Sequence, residues 1–231
     1  ALMVRPQSGV ASVNSFGVNY SDSWGKTGRQ DKVTLQASYF FNRTTTKNYS
    51  TIDKWYETPS PIDTLHTDGY SNNTNGNHRL NARLEWRISE NQSLMSRTGL
   101  SFQSYDPYST TYGHQWGESG LRVVDNFSDG DRTGVNLNQY LSYRTKLDGR
   151  TLTLDGSVRY RNNRGDTDSY SNQARGIDPD LIVVPTDTLL LRYQRAHSPS
   201  FSYNLRGDVT YTEPVSQYAQ LSLQYRVAYN Y

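Results

Sequence analysis

The stretch DVTYTEPVSQYAQLSLQYRVAYNY, residues 208–231, decides the fold class. Two runs of strict alternation flank a turn over 213–217. Upstream, Phe201, Tyr203, Leu205, Gly207, Val209 and Tyr211 fall on one face of a strand, and Ser202, Asn204, Arg206, Asp208 and Thr210 on the other. Downstream, Ala219, Leu221, Leu223, Tyr225, Val227, Tyr229 and Tyr231 alternate with Gln220, Ser222, Gln224, Arg226 and Asn230. Side chains change face at every residue of a strand, so this is a hairpin with one apolar and one polar face. Its arms run about 11 to 15 residues, against about 5–6 for an ordinary strand. A tilted strand crossing a bilayer needs about 9–11.

The same unit recurs upstream. Leu80, Ala82, Leu84, Trp86 and Ile88 alternate with Arg79, Asn81, Arg83, Glu85 and Arg87. A helix would mix these sets; a strand separates them. Leu94, Ser96, Thr98, Leu100 and Phe102 return opposite Met95, Arg97, Gly99, Ser101 and Gln103. Val135, Leu137, Gln139, Leu141, Tyr143 and Leu147 follow, against Asn136, Asn138, Ser142, Arg144 and Lys146. Asp148-Gly149 is a strong hairpin signal. Leu152, Leu154, Gly156, Val158 and Tyr160 come back, with Thr153, Asp155, Ser157, Arg159 and Arg161 opposite. Two further strands lie near 14–24 and 33–41, where Phe40 breaks the alternation. Residues 1–10 have no clear period.

Eight long strands result. Short turns are expected near 25–31, 88–92, 147–150 and 213–217, and long polar loops near 43–78, 104–133 and 162–199, the last with a β-prone piece at 186–193. Short turns at one end and long loops at the other is the pattern of outer-membrane barrels.

Composition agrees with a wet interior. Only 34% of the 231 residues are AVILMFWYC, and the mean hydropathy is −0.83, poor for a soluble core of this length. Nineteen Tyr and 4 Trp outnumber 6 Phe, and aromatics with a polar handle suit boundaries between apolar and wet surroundings. No apolar run approaches the roughly 20 residues of a membrane helix. A net charge of +2 without a dense Lys/Arg block argues against nucleic acid. The absence of cysteine excludes disulfides and thiolate sites.

Several stretches resemble the outer-membrane β-barrel family related to TonB-dependent receptors of Gram-negative bacteria: FGVNYSDSWG (16–25), ASYFFN (37–42), GRTLTLDGSVRYRNNRG (149–165) and VTYTEP (209–214). The resemblance covers most of 11–231. It implies an antiparallel transmembrane barrel segment at 11–231, within a wall of about 22 strands around a plug. It further implies localisation in the bacterial outer membrane. Implied partners are membrane lipid, the plug and remaining strands of a parent chain, a periplasmic energy-coupling protein and a surface lipoprotein. Neither plug nor leader is legible in these residues. With the short turns periplasmic, both ends of the strand series lie on the outer side, which disfavours a small closed barrel. Residues 11–24 are therefore expected not to pair with 218–231.

No catalytic motif such as GxSxG occurs, and no enzyme, metal or cofactor is expected. His66, His78, His114 and His197 lack paired metal-ligand spacing. Asp125, Asp129 and Asp131 lack the oxygen that a calcium loop would place at Phe127. The candidate functional surface is the polar face. Arg79, Arg83, Glu85, Arg87, Arg97, Arg144, Asp155, Arg159, Arg161, Arg206, Asp208 and Arg226 are expected to line a lumen. Leu80, Leu84, Trp86, Leu152, Leu154, Val158, Leu221, Leu223 and Tyr225 are expected to face lipid. Part of a nutrient importer is the leading reading. A small complete barrel, a surface binding or adhesion module, and a soluble carbohydrate-binding domain stand as alternatives.

Overall fold

The computed structural model describes residues 9–25, 32–56, 63–117, 120–177 and 189–231. Nine strands form one antiparallel sheet: β1 (Val10–Trp24), β2 (Lys32–Tyr56), β3 (Asp63–Arg87), β4 (Gln92–Gly117), β5 (Gly120–Leu147), β6 (Arg150–Ile177), β7 (Leu189–His197), β8 (Ser200–Ser216) and β9 (Ala219–Asn230). Each pairs with its neighbour in sequence as far as β6; β8 and then β9 continue the sheet, and β7 also pairs with β6. The all-β, antiparallel meander read from the alternation is the fold observed.

The ninth strand comes from an interruption. β7 pairs with 166–174 of β6 and β8 with 151–163, so the two lie end to end along one neighbour. At the join, the Ser198 amide donates to the Gly165 carbonyl at 2.7 Å, and the Gly165 amide to Ser198 at 3.2 Å. Pro199 has no amide hydrogen with which to continue the ladder. The β-prone piece expected at 186–193 overlaps β7 from Leu189 onward, and its first three residues lie outside the described residues.

Among the described residues, the three long polar stretches expected as loops are almost wholly strand. β2 and β3 stay paired from Lys32↔Arg87 to Tyr56↔Asp63, β4 and β5 out to Gly117↔Gly120, and β5 and β6 out to Leu121↔Ile177. At about 3.3 Å per residue, a strand of 28 residues such as β5 extends roughly 90 Å. Alternation disappears in these extensions because both faces are polar, yet Thr, Ser, Asn and Tyr still pair across strands. The expected contrast in loop length is replaced by strands that project far beyond the alternating segment at one end.

The other end carries tight turns. Asp148 (φ 45°) and Gly149 (φ 85°) both lie in the left-handed region, the signature of a two-residue primed hairpin. Between β3 and β4, the Ile88 and Ser89 amides donate to the Gln92 carbonyl at 3.0 and 3.2 Å. The last turn is tighter than 213–217: β8 continues to Ser216 and β9 starts at Ala219, with a register shift between Pro214 and Ser216 absorbing the proline. The turn expected at 25–31 lies almost wholly outside the described residues, as do residues 1–8 of the irregular stretch; Val10 already belongs to β1.

The sheet is a single layer and is not closed. β1 pairs only with β2 and β9 only with β8 among the described residues, so 11–24 and 218–231 are two free edges. Among those residues no large side chain is fully buried, whereas Phe16, Trp24, Leu80, Trp86, Leu141, Leu154, Val209 and Leu223 stand open. An independently stable soluble domain needs a second layer over such a face.

Candidate functional site

Register fixes which side chains share a face, because pairing partners point the same way and alternate residues point oppositely. One polar row runs Ser21–Gln36–Arg83–Arg97–Tyr140–Ser157–Arg206 from β1 to β8. The rows beside it on the same face are Asn19–Ser38–Asn81–Gly99–Asn138–Arg159–Asn204 and Ser23–Thr34–Glu85–Met95–Ser142–Asp155–Asp208–Arg226. A single trough of about 1140 Å³ touches side chains from β1 through β9, skipping only β7. One cavity can reach across so many strands only if the sheet curls around it, so the polar face is concave.

All twelve lumen candidates lie on this face. Arg83, Arg97, Asp155, Arg159, Arg161, Arg206 and Asp208 line the trough. Arg79, Glu85, Arg87, Arg144 and Arg226 share the face but lie beyond the lining. Asp208 is the anchor, with 8% of its surface exposed. Arg206 Nε donates to its Oδ2 at 2.7 Å, and Arg226 Nε donates to Oδ1. Arg83 pairs with Glu85, Arg161 Nε donates to Asn136 Oδ1 at 2.9 Å, and the Tyr140 hydroxyl donates to Asp155 Oδ1 at 2.7 Å. Arg79, Arg97 and Arg159 make no hydrogen bond or ion pair among the described residues. The lining therefore offers guanidinium groups with unused donors to whatever occupies the concavity.

Sequence reading missed Tyr140 as a lining residue. It stands two residues from both Asn138 and Ser142, so the period-two pattern already assigns it to the polar face.

The opposite, convex face holds all nine lipid-facing candidates. Three of its rows are Trp24–Val33–Trp86–Leu94–Tyr143–Leu154–Val209–Tyr225, Tyr20–Ala37–Ala82–Thr98–Gln139–Val158–Leu205–Tyr229 and Val18–Tyr39–Leu80–Leu100–Leu137–Tyr160–Tyr203. Aromatics bracket this band: Trp24, Trp86, Tyr143, Tyr211 and Tyr225 toward the tight turns, and Phe16, Phe41, Phe102 and Phe201 at the far side. From Phe201 to Tyr211 is about 11 residues, the length that crosses a bilayer at a tilt of about 35–45°. Beyond the phenylalanines the next row of this face is Asn14–Arg43–Gly76–Ser104–Thr133–Arg164, and the continuous apolar band ends there.

Polar groups inside the band are mostly satisfied locally. Gln139 accepts from the Thr98 hydroxyl at 2.6 Å and donates to Ser96 Oγ at 2.8 Å. His78 lies between Phe41 and Phe102, with ring centroids 4.8 and 5.9 Å away, and bonds the Tyr39 hydroxyl at 2.8 Å. Asp22, on the free edge β1, is the one carboxylate in the band among the described residues; it accepts from the Tyr20 hydroxyl at 3.2 Å.

A second polar cluster sits on the convex face far from the tight turns. Pairing of β2 with β3 sets Asp53 opposite His66. His66 Nδ1 lies 2.6 Å from Asp53 Oδ1 and Nε2 3.1 Å from Asp68 Oδ2, while the Thr51 hydroxyl donates to Asp68 at 2.7 Å. The Asp53 hydrogen bond, then that of Asp68, raises the His66 pKa. The Thr51 hydroxyl, then His66, lowers that of Asp68. Farther along the face, His197 lies 2.5 Å from Asp166 and lowers its pKa. Asp125, Asp129 and Asp131 are alternate residues of β5 rather than a loop, and Arg164-Gly165-Asp166 lies within β6. Among the described residues no group of three or more His, Cys, Asp or Glu side chains could hold a metal ion.

No family model and no curated protein matches this chain. The functional reading therefore stands on the geometry of the two faces.

Proposed function

We propose that this sheet is part of the wall of a large outer-membrane β-barrel, in a transporter of the TonB-dependent receptor type that takes up nutrients. The observation that carries the reading is the pair of faces. A convex apolar band of bilayer-crossing length, bracketed by aromatic rows, backs onto a concave trough lined with charge. Lipid satisfies the first face and a wet lumen the second. Nothing in this arrangement calls for catalysis.

The free edges support a wall larger than these strands. Each edge carries a row of backbone N–H and C=O groups, and hydrocarbon exacts several kcal/mol for each left unpaired. Further strands, from the same chain or another, complete the barrel. A small barrel closed by these strands alone would need β1 against β9. A soluble carbohydrate-binding domain would leave the convex band uncovered. The unpaired Arg97 and Arg159 suit contact with a plug seated inside the barrel.

Two measurements test this. Variants retaining one tryptophan each are placed in vesicles whose acyl chains are brominated. Trp86 fluorescence should be quenched strongly and that of Trp55, on the projecting part of β2, weakly. Equal quenching, or release of the protein from membranes by alkaline carbonate, would refute the wall. A photocrosslinker at Arg97 should then capture a protein segment within the barrel, while one at Leu84 captures lipid. An Arg97 position without protein adduct would overturn the transporter assignment.

A further inference from the structure

The convex face carries a second aromatic row, well beyond the apolar band. Register aligns Tyr49–Tyr70–Thr110–Phe127–Tyr170–Tyr193 across six strand positions, with Tyr108 filling the gap at Thr110. Ring centroids are 4.8 Å apart for Tyr49 and Tyr70, 6.1 Å for Tyr70 and Tyr108, and 5.4 Å for Tyr108 and Phe127. The row is open to solvent at both ends: Tyr49 is 77% exposed and Tyr193 65%. Both of these rings stand at sheet edges, and Tyr170 within the row is 38% exposed; cross-strand aromatic pairs stabilise a sheet, and the outward surface of the rings remains available beyond that role.

Tyr49 is eight residues beyond Phe41 on β2 and on the same face. At about 3.3 Å per residue and a tilt near 40°, the row stands roughly 20 Å above the outer aromatic girdle. That height is past lipid headgroups. The chemistry of the row also differs from the band below it. The rings are mostly tyrosines, and carboxylates flank them on the same face: Asp68 and Asp125 one row above, Asp129 and Asp168 one row below, where Lys47 and Arg195 also lie, Arg195 Nε 3.5 Å from Asp168. Tyr193 donates to Asp168 at 2.8 Å. Such carboxylates accept hydrogen bonds from hydroxyl groups. Flat rings beside such acceptors match a sugar, whose C–H faces stack on aromatics and whose hydroxyls point sideways.

We propose that this row docks the saccharide chains of the glycolipid that forms the outer leaflet around the barrel. The proposal rests on the membrane reading above. The apolar band fixes the height of the row, and the anchored glycolipid brings sugars to that height. Each stacking contact is weak; their repetition along the row supplies the binding.

The chain contains no cysteine, so single thiols report cleanly. Lys47→Cys, one row below the tyrosines, and Leu84→Cys, in the band, are introduced separately into the full-length protein. Labelling by a membrane-impermeant maleimide is then compared in three kinds of vesicle: phospholipid alone, phospholipid with complete lipopolysaccharide, and phospholipid with added delipidated saccharide. The expected result is labelling at Lys47→Cys slowed several-fold only by complete lipopolysaccharide. The slowing should vanish when Tyr49, Tyr70, Tyr170 and Tyr193 are alanine, which separates docking from simple crowding. Slowing that survives the four alanines, or equal rates in all vesicles, overturns the proposal. Equal protection by free saccharide overturns its membrane-anchored source. Leu84→Cys should stay unlabelled throughout; rapid labelling there defeats the membrane reading itself, whatever happens at Lys47→Cys.

Discussion

Two segments of one strand behave as different materials. On β2, residues 33–41 place Val33, Leu35, Ala37, Tyr39 and Phe41 on the convex face. Residues 43–53 place Arg43, Thr45, Lys47, Tyr49 and Asp53 there. Backbone pairing with β3 runs without a break through both. The difference teaches that alternation in this sequence encodes surroundings rather than pairing. Where one face is apolar and the other polar, the period of two is written in full. Where both faces are polar, it fades although the strand continues. Side-chain bonds across strands remain to hold the wet part: Thr45 to Thr74 at 3.3 Å, Gln103 to Asn75 at 3.1 Å and Ser171 to Asn126 at 2.6 Å.

The largest expected effect breaks this comparison directly. Leu84→Arg puts a guanidinium in the middle of the convex band and should destabilise the protein by roughly 2–4 kcal/mol if the band spans hydrocarbon. Thr74→Arg makes a similar change on the same face of the same strand, in the wet segment, and should stay within about 0.5 kcal/mol. Folding titrations in lipid vesicles rank the two. Equal costs would mean that the segments share one environment.

The comparison also explains what was legible in the residues. The separation of the two sets was readable almost residue by residue: the apolar members of Leu80 to Trp86, Leu94 to Phe102 and Leu152 to Tyr160 share one face, and every charged candidate from Arg79 to Arg226 shares the other. The Asp148-Gly149 turn was readable because its two left-handed residues demand that composition. The projecting segment was not. Asn72 to Asn77 carry no apolar signal and look like a loop; they are strand because neighbours equally polar pair with them. The trough was legible as a face but not as a concavity, since curl depends on how rows stack across strands. The contact of Asp53 with His66 was invisible for a related reason, as it needs the β2–β3 register to persist far beyond the last alternating residue.

The turn end sharpens the comparison more gently. Gly149→Ala forces a side chain onto a backbone at φ 85° and should cost about 1 kcal/mol. A methyl group there would lie 3.6 Å from Pro214 Cγ, ordinary contact, so the penalty is conformational rather than steric. Gly207→Ala, in extended β8 with nothing within 4 Å of the added carbon, should be neutral or slightly stabilising. Thermal unfolding of the two variants distinguishes a turn that needs its glycine from a strand that does not.

The smallest effect belongs to the far end, where protonation acts on local stability. The pKa of His66 is raised above its ordinary 6.5, chiefly by Asp53. Folding is therefore favoured by its protonation: the contribution is complete below 6.5 and is lost as pH rises through the higher folded value. Asp68 is lowered below 3.8, chiefly by the Thr51 hydroxyl and then by His66. Its contribution is complete above 3.8 and is lost as pH falls through the lower folded value. The β2–β3 extension should thus be firmest between pH 3.8 and 6.5 and loosen on the alkaline side as His66 discharges. Exposure of all three side chains keeps the effect small. Amide hydrogen exchange, corrected for its intrinsic pH dependence, checks this at residues 51–54 and 64–68. Protection there should fall above neutrality, while protection at 80–86 should not change. His66→Gln should remove the alkaline loss without altering the alternating segment. A pH response shared equally by both segments would mean that the projecting strands do not open independently of the band.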